Sequence, residues 1–296
     1  MIREPGPRRC PSSSVAEVTA LPRRSDRMVV IGVLNVTPDS FSDGGRYDDL
    51  AGAVAHAEQM FAEGADLVDV GGESTRPGAL RVDAAEETRR VVPVIAALSR
   101  LGIPVSVDTC RASVAEAALD AGAIVVNDVS GGLGDADMGR VVRDAGCPWI
   151  LMHWRGPSAV MRELAHYGDV VADVRTELGA RIEDALAAGV APDALVLDPG
   201  LGFAKTAAHN WMLLDRLEVL MEFGLPVLLG ASRKSFLGSV LADEAGVPRP
   251  VGEREDATVA LTAYAATRGV WGVRVHEVRP SVDAARAIAA VGGAGR

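Results

Sequence analysis

Short apolar runs rich in β-branched residues alternate along the chain with longer stretches whose apolar residues recur at helical spacing. In the first long stretch this spacing runs from Leu50 to Phe61, and Gly64 follows where a helix C-cap is expected. The alternation is typical of repeated βα units with a parallel sheet. Eight strands are predicted, at 28–35, 67–71, 104–108, 124–128, 149–153, 195–198, 226–230 and 270–276. Further helices are predicted at 83–101, 111–121, 136–145, 168–189, 209–223, 234–246, 253–268 and 281–291.

The eight units predict an α/β fold, a single (β/α)8 TIM barrel with its active site at the C-terminal rim of the strands. No GxGxxG follows the first strand, which disfavours an open dinucleotide-binding sheet. Residues 1–27 contain Pro, Ser and Arg without helical or strand periodicity, and we expect a disordered N-terminal leader there. The barrel is expected to occupy residues 28–296.

Composition narrows the class of protein. The formal charge of −10 and an aromatic content of 4% argue against a nucleic-acid partner. The chain has no apolar run long enough for a membrane span and no signal peptide pattern, and its three cysteines are too scattered for a disulfide framework. We therefore expect a cytoplasmic protein without membrane partners. Only two of the 30 basic residues are lysines, Lys205 and Lys234. Either these two positions need a compact ammonium, or the two lysines occur there by chance.

Polar side chains collect at the predicted strand ends. Asp108, Asn127 and Asp198 end strands 3, 4 and 6. Each alone is also explained as a helix cap or a loop hydrogen bond. Their convergence in one barrel mouth favours a ligand, and two carboxylates with an amide suit a flat heterocycle that offers N–H and amino groups.

A second group of rim residues suits an anion. The segment GASRKS at 230–235 leads into a helix, and Arg274 and His276 share one face of the last strand. Asn35 lies on the neighbouring strand once the barrel closes. With no carboxylate pair nearby in the sequence, this group predicts a phosphate or diphosphate clamp in which Asn35 and the phosphate oxygens take Mg²⁺. A barrel histidine without a ligand role is the alternative for His276.

Two polar loops are long for βα connections. They cover 35–45 and 71–83, are rich in Gly, Pro and Ser, and predict lids over the mouth. Plain exposed loops are the alternative.

Seven ordered blocks resemble the dihydropteroate synthases of the folate pathway. The blocks are NVTPDSFSDGG, DVGGESTRPG, SVDT, NDVSGG, DPGLGFAKT, GASRKS and RVHEV, and MHWRG and GFAKT resemble the actinobacterial type. The resemblance covers the chain from Met28 nearly to its end. It implies a transferase that condenses 6-hydroxymethyl-7,8-dihydropterin diphosphate with p-aminobenzoate, with assistance from Mg²⁺, and it implies a homodimer and sensitivity to sulfonamides as substrate mimics.

The resemblance also assigns roles to residues. It implies a pterin pocket at Asp108, Asn127, Asp198 and Lys234 with Met152 packing nearby, and a diphosphate and Mg²⁺ site at Asn35, Arg274 and His276. It implies a p-aminobenzoate site at Ser235, Phe203 and Lys205, with the mobile-loop residues Phe41, Thr75, Arg76 and Pro77. Diphosphate is expected to leave first, and the two aspartates to stabilise the cationic ring. Glu277, where many members have Asp, is a small departure.

Two alternatives share the ring pocket. A methyltetrahydrofolate:corrinoid methyltransferase needs neither the diphosphate clamp nor the ESTRPG loop, and both are present. An inactive paralogue that only binds pterins would keep the carboxylates and lose loop or anion residues, and no such loss is identified.

Overall fold

Strands and helices alternate in the structure, a computed structural model that describes residues 20–37, 46–74, 82–157 and 159–293. The strands are β1 (Val29–Asn35), β2 (Leu67–Gly71), β3 (Val105–Asp108), β4 (Val125–Asp128), β5 (Trp149–Met152), β6 (Leu195–Asp198), β7 (Leu228–Leu229) and β8 (Gly272–Val275). The α-helices are α1 (Arg46–Ala62), α2 (Ala84–Arg100), α3 (Ala112–Asp120), α4 (Met138–Ala145), α5 (Val170–Ala187), α6 (Ala207–Asp215), α7 (Glu218–Met221), α8 (Ser235–Val240), α9 (Glu255–Thr267) and α10 (Val278–Gly293).

The strands pair in parallel in the order β6-β5-β4-β3-β2-β1-β8-β7. An isolated parallel bridge between Leu197 of β6 and Val227, the residue before β7, joins the two edge strands. The amide of Leu197 also donates to the carbonyl of Pro226 at 2.8 Å. The ring is therefore closed, and the predicted barrel is confirmed.

Alternate strand residues point into the barrel. An apolar cluster fills its lower part and includes Val29, Ile31, Leu67, Val125, Ile150, Val196 and Leu228. The residues two places further along four of these strands therefore point inward above the cluster. They are Asp69, Asn127, Met152 and Asp198. The transition from apolar to polar interior positions is what places a polar site at the carboxyl ends of the strands.

The expectation of a disordered leader is wrong for residues 20–27, while residues 1–19 lie outside the described part of the chain. Leu21 is 7% exposed and packs into the apolar cluster inside the barrel. The indole Nε1 of Trp271 donates to the carbonyl of Pro22 at 2.8 Å. Arg27 pairs with Asp66 at 2.6 Å. One leucine among prolines and arginines has no periodicity, so the pattern could not reveal this packing.

Two helices differ from their predicted bounds for local reasons. The helix predicted at 234–246 ends at Val240, because Asp243 Oδ1 accepts from the amides of Ala245 and Val247 and folds the next segment into a turn. The helix predicted at 209–223 is divided into α6 and α7 around Arg216, which has non-helical backbone angles.

Among the residues that the structure describes, no helix combines the length and apolarity that crossing a membrane requires.

Candidate active site

Buried polar side chains ring the carboxyl ends of the strands. Asp108, Asn127 and Asp198 are all nearly inaccessible to solvent. Asp108 and Asn127 are direct partners in the register of β3 and β4. Met152 is the partner of Asp198 in β5 and β6 and is itself buried. The structure thus brings together the four strand-end residues predicted to surround a flat ring.

Asp69, in the middle of β2, belongs to this site although the sequence analysis missed it. Its carboxylate is 1% exposed and accepts from Ser106 Oγ at 2.6 Å and from Asn127 Nδ2 at 2.9 Å. Because the amide nitrogen of Asn127 donates to Asp69, the amide oxygen of Asn127 is available to a ligand. The signal was an acidic residue in the apolar run LVDVG, two residues beyond the inward-facing Leu67.

Arg274 lies among carboxylates, which corrects the prediction that it stands apart from them. Its Nε donates to Asp69 at 2.5 Å, and its Nη2 donates to Asp108 at 2.6 Å. Burial and the neighbouring Asp69 raise the pKa of Asp108, and the guanidinium opposes this rise. Sequence separation hid the contact, because β8 comes near β2 and β3 only by pairing with β1. The guanidinium of Arg274 therefore contacts Asp108, the carboxylate expected to bind the ring, and also belongs to the group expected to bind diphosphate.

Asp198 and Lys234 lie together on the other side of the mouth. Asp198 Oδ1 accepts from the amide of Gly200 at 2.7 Å. Burial raises the pKa of Asp198, and the ammonium of Lys234 opposes the rise. Burial in turn lowers the pKa of Lys234 to about 8. Lys234 also donates to the carbonyl of Leu201 and lies 4.7 Å from the centroid of the Phe203 ring.

Lys205 has a different environment from the one expected beside an aromatic substrate. Its ammonium donates to the carbonyls of Gly200 at 3.1 Å and Phe203 at 3.0 Å. It also lies 2.8 Å from Nδ1 of His153. Burial lowers the pKa of Lys205 to about 7. The ammonium is therefore engaged inside the turn that follows β6.

His276 is oriented by Ser232. The backbone amide of His276 donates to Ser232 Oγ at 3.2 Å, and the same hydroxyl lies 3.0 Å from His276 Nδ1. The hydroxyl can accept from the amide and either donate to Nδ1 or accept from it, so these two contacts fix the orientation of the imidazole ring. Ser235 is the first residue of α8 and is exposed.

The match to a protein family decides the identity. The model of the family described as pterin binding enzyme matches residues 31–276. The chain belongs to the pterin-binding enzymes. A dihydropteroate synthase of Mycobacterium leprae is 58% identical over 262 residues, covering 88% of this chain and 92% of the relative. A dihydropteroate synthase of Bacillus subtilis is 43% identical over 255 residues, covering 86% of this chain and 85% of the relative.

Solved structures support the same family for this pterin-binding enzyme. A dihydropteroate synthase from Xanthomonas albilineans in complex with 7,8-dihydropteroate has a TM-score of 0.80 and 42% identity, covering 90% of this chain and 94% of that one. A Yersinia pestis dihydropteroate synthase with a sulfonamide drug has a TM-score of 0.83 and 41% identity, covering 92% and 99% of the two chains.

Some predicted site residues of this pterin-binding enzyme lie outside the described residues. They are Phe41, Thr75, Arg76 and Pro77. The two predicted lids, at 35–45 and 71–83, are described only at their ends, so their closure over the mouth stays a prediction.

The described residues contain no cluster of three or more His, Cys, Asp or Glu side chains suited to a metal ion. Asn35 ends β1 and shares a level of the barrel with Gly71 and, beyond it, Asp108. Its amide oxygen is a ligand type that Mg²⁺ accepts, and Mg²⁺ commonly takes most of its remaining ligands from water and substrate phosphates. The residues at this position therefore fit a substrate-bound Mg²⁺ and not a metal held by protein ligands alone.

Proposed function

We infer that this chain is a dihydropteroate synthase, which joins 6-hydroxymethyl-7,8-dihydropterin diphosphate to p-aminobenzoate and releases 7,8-dihydropteroate and diphosphate. The observation that carries the inference is the buried mouth in which Asp108, Asn127 and Asp198 meet Lys234 and Arg274. The identity to the Mycobacterium leprae synthase over most of both chains supports the same reaction.

The ring pocket favours a pterin for reasons of hydrogen bonding. Asp108 and Asp198 accept from ring N–H and amino groups, and the oxygen of Asn127 adds a third acceptor. Lys234 supplies a donor for a ring carbonyl or nitrogen. Met152 and the apolar cluster below offer a flat surface for the ring. A buried acceptor left without a partner is costly, so this set discriminates against rings that lack these donors.

The reaction proceeds by departure of the leaving group. The bond between the pterin methylene and the diphosphate oxygen breaks, and its electron pair leaves with diphosphate toward Arg274 and His276. Asp108 and Asp198 stabilise the resulting cationic ring electrostatically in a site that excludes water. The amine of p-aminobenzoate then attacks the methylene and loses a proton, so no covalent enzyme intermediate is required.

Mg²⁺ is part of the proposal, with Asn35 as its protein ligand. When bound, the ion neutralises charge on the diphosphate and makes it a better leaving group. Arg274 and His276 would contact the same oxygens, and Ser232 would hold the His276 ring in the orientation that this needs.

The second substrate is proposed to bind at the turn after β7. Its carboxylate would meet Ser235, and its ring would lie beside Phe203. The loop residues Phe41, Thr75, Arg76 and Pro77 would close over it. A homodimer and a cytoplasmic location stay predictions that accompany this proposal.

Release of diphosphate tests the proposed reaction. Purified protein with Mg²⁺ should release it only when the dihydropterin diphosphate and p-aminobenzoate are both present, and chelation of Mg²⁺ should slow the release. Asp198→Asn keeps the shape of the side chain and removes its charge, so kcat should fall by roughly 100-fold or more. Pterin binding without diphosphate release in the wild type would favour the inactive paralogue instead.

A further inference from the structure

The turn after β6 has an unfavourable backbone. The φ angles are +66° at Gly200, +80° at Gly202 and +47° at Ala204. Left-handed angles suit glycine, but at Ala204 the Cβ makes them costly. A Cβ on Gly200 would lie 2.3 Å from the carbonyl oxygen of His153, so the turn also packs tightly against β5. Such a conformation persists only where its surroundings hold it.

The ammonium of Lys205 holds this turn from within. It joins the carbonyls of Gly200 and Phe203, at 3.1 and 3.0 Å, across the left-handed residues. Its third contact, 2.8 Å to Nδ1 of His153, ties the turn to the end of β5. Since an ammonium has three donors and no acceptor, these three contacts use its full capacity.

The contacts of Lys205 continue through His153 to Glu177 on helix α5, and we call this linked set the brace. His153 is 1% exposed, and its Nε2 lies 2.8 Å from Glu177 Oε2. Because Nδ1 accepts from Lys205, Nε2 carries the proton and donates to the carboxylate. Glu177 also accepts from Arg155 Nε at 3.0 Å. The chain Lys205–His153–Glu177 therefore links the turn to two neighbouring segments of the barrel.

On the side away from His153, the turn contacts Lys234 of the candidate active site. The carbonyl of Leu201 accepts from Lys234, and the ring of Phe203 lies 4.7 Å from the same ammonium. A displacement of the turn would therefore displace both the aromatic ring and the cation.

We propose that Lys205 is a positioning residue: anchored on His153 and Glu177, it holds the turn 198–205 so that Phe203 stays in place beside the second substrate and Lys234 beside the pterin ring. The identity of that substrate rests on the proposed function, whereas the brace itself does not.

Lysine NMR tests the brace without any activity. Lys205→Met leaves Lys234 as the only lysine, so protein labelled with ¹³C-lysine gives one side-chain signal. In the wild type we expect the Phe203 ring, whose centroid is 4.7 Å from the Lys234 ammonium, to shift the Lys234 Hε protons through its ring current. We expect the Lys234 signal of Lys205→Met to move toward the position of a solvated lysine. Glu177→Gln should move it in the same direction by less.

Kinetics test the consequence for the reaction. Loss of the brace should raise KM for p-aminobenzoate roughly tenfold, the effect of about one net hydrogen bond. KM for the pterin diphosphate should rise by less, because Asp108 and Asn127 bind the ring from strands that the turn does not touch. Lys205→Arg keeps donors at this position and should recover part of the loss. Arg216→Met, which removes an exposed ion pair with Asp169, is the matched control and should change neither constant.

The outcomes separate the two proposals. An unmoved Lys234 signal in folded Lys205→Met, or an equal rise of both KM values, overturns the positioning role. If Lys205→Met does not fold, Glu177→Gln decides by the same two readouts. A wild type that releases no diphosphate refutes the proposed function, and the NMR arm still tests the brace.

Discussion

Arg274 and Asp108 form an ion pair of 2.6 Å across the mouth of the barrel, between the last strand and the third. The same guanidinium pairs with Asp69 of β2. Any ligand that accepts or donates at Asp108 therefore meets Arg274 as a neighbour, and binding of a ring and binding of an anion are coupled through one side chain.

Arg274→Leu should reduce both stability and binding. The substitution leaves Asp69 and Asp108 buried without their cation, which costs about 3–5 kcal/mol in comparable cases. Urea unfolding measures that loss, and titrations with pterin and with diphosphate plus Mg²⁺ should both weaken. Arg233→Leu removes an exposed ion pair with Glu277 and should cost less than about 1 kcal/mol. A variant as stable as the wild type would contradict the shared role of Arg274.

Asp69→Asn should weaken pterin binding although Asp69 lies below the rim. The amide that replaces it no longer fixes the orientation of Asn127 or neutralises Arg274. A hydrogen bond to a charged group contributes about 1.5–3 kcal/mol, so the Kd for pterin should rise roughly 10- to 150-fold by calorimetry. Ser106→Ala removes only one hydrogen bond to Asp69 and should have a smaller effect. Equal affinity in Asp69→Asn and the wild type would exclude this role.

The strand ends were predictable from sequence, and their partners were not. Asp108, Asn127 and Asp198 follow apolar runs whose period fixes the direction of each side chain. The pairing of Arg274 with Asp69 and Asp108 depends on the pairing of β8 with β1, which no local pattern encodes. Asp128 directly follows Asn127 on β4, so its side chain points to the opposite face of the strand. Its carboxylate accepts from Ser130 and Gly132 and shapes the following turn.

Leu21→Ala should destabilise the protein even though the segment before β1 has no periodicity. Leu21 is 7% exposed inside the barrel, and truncation of a buried leucine costs about 2–5 kcal/mol. Thermal unfolding measures the change. Leu101→Ala, at a position that is 52% exposed, is the control and should have little effect. If both variants have the melting temperature of the wild type, the segment at residues 20–27 does not contribute to the core.

The free energy of unfolding should fall as the pH is lowered from 6.5 to 4, because His153 takes up a proton more readily in the unfolded chain. Burial lowers the pKa of His153 from 6.5 to about 4 in the folded protein. Between these values the unfolded chain binds the proton and the folded one does not, so acid favours unfolding by up to about 3 kcal/mol. Unfolding free energies measured across this range should fall more steeply for the wild type than for His153→Gln. Parallel curves would show that His153 is not held neutral.

The closure of the barrel has a weak seam. Among the residues that the structure describes, an isolated bridge between Leu197 and Val227 joins β6 to the β7 side, and β7 itself has two residues. Asp198 and Lys234 stand on opposite sides of that join, so an opening there would separate the two charges. Hydrogen exchange of backbone amides follows such local openings. The pocket for the ring thus spans the join with the shortest backbone pairing among the described strands, and a ligand that contacts both side chains should stabilise this join.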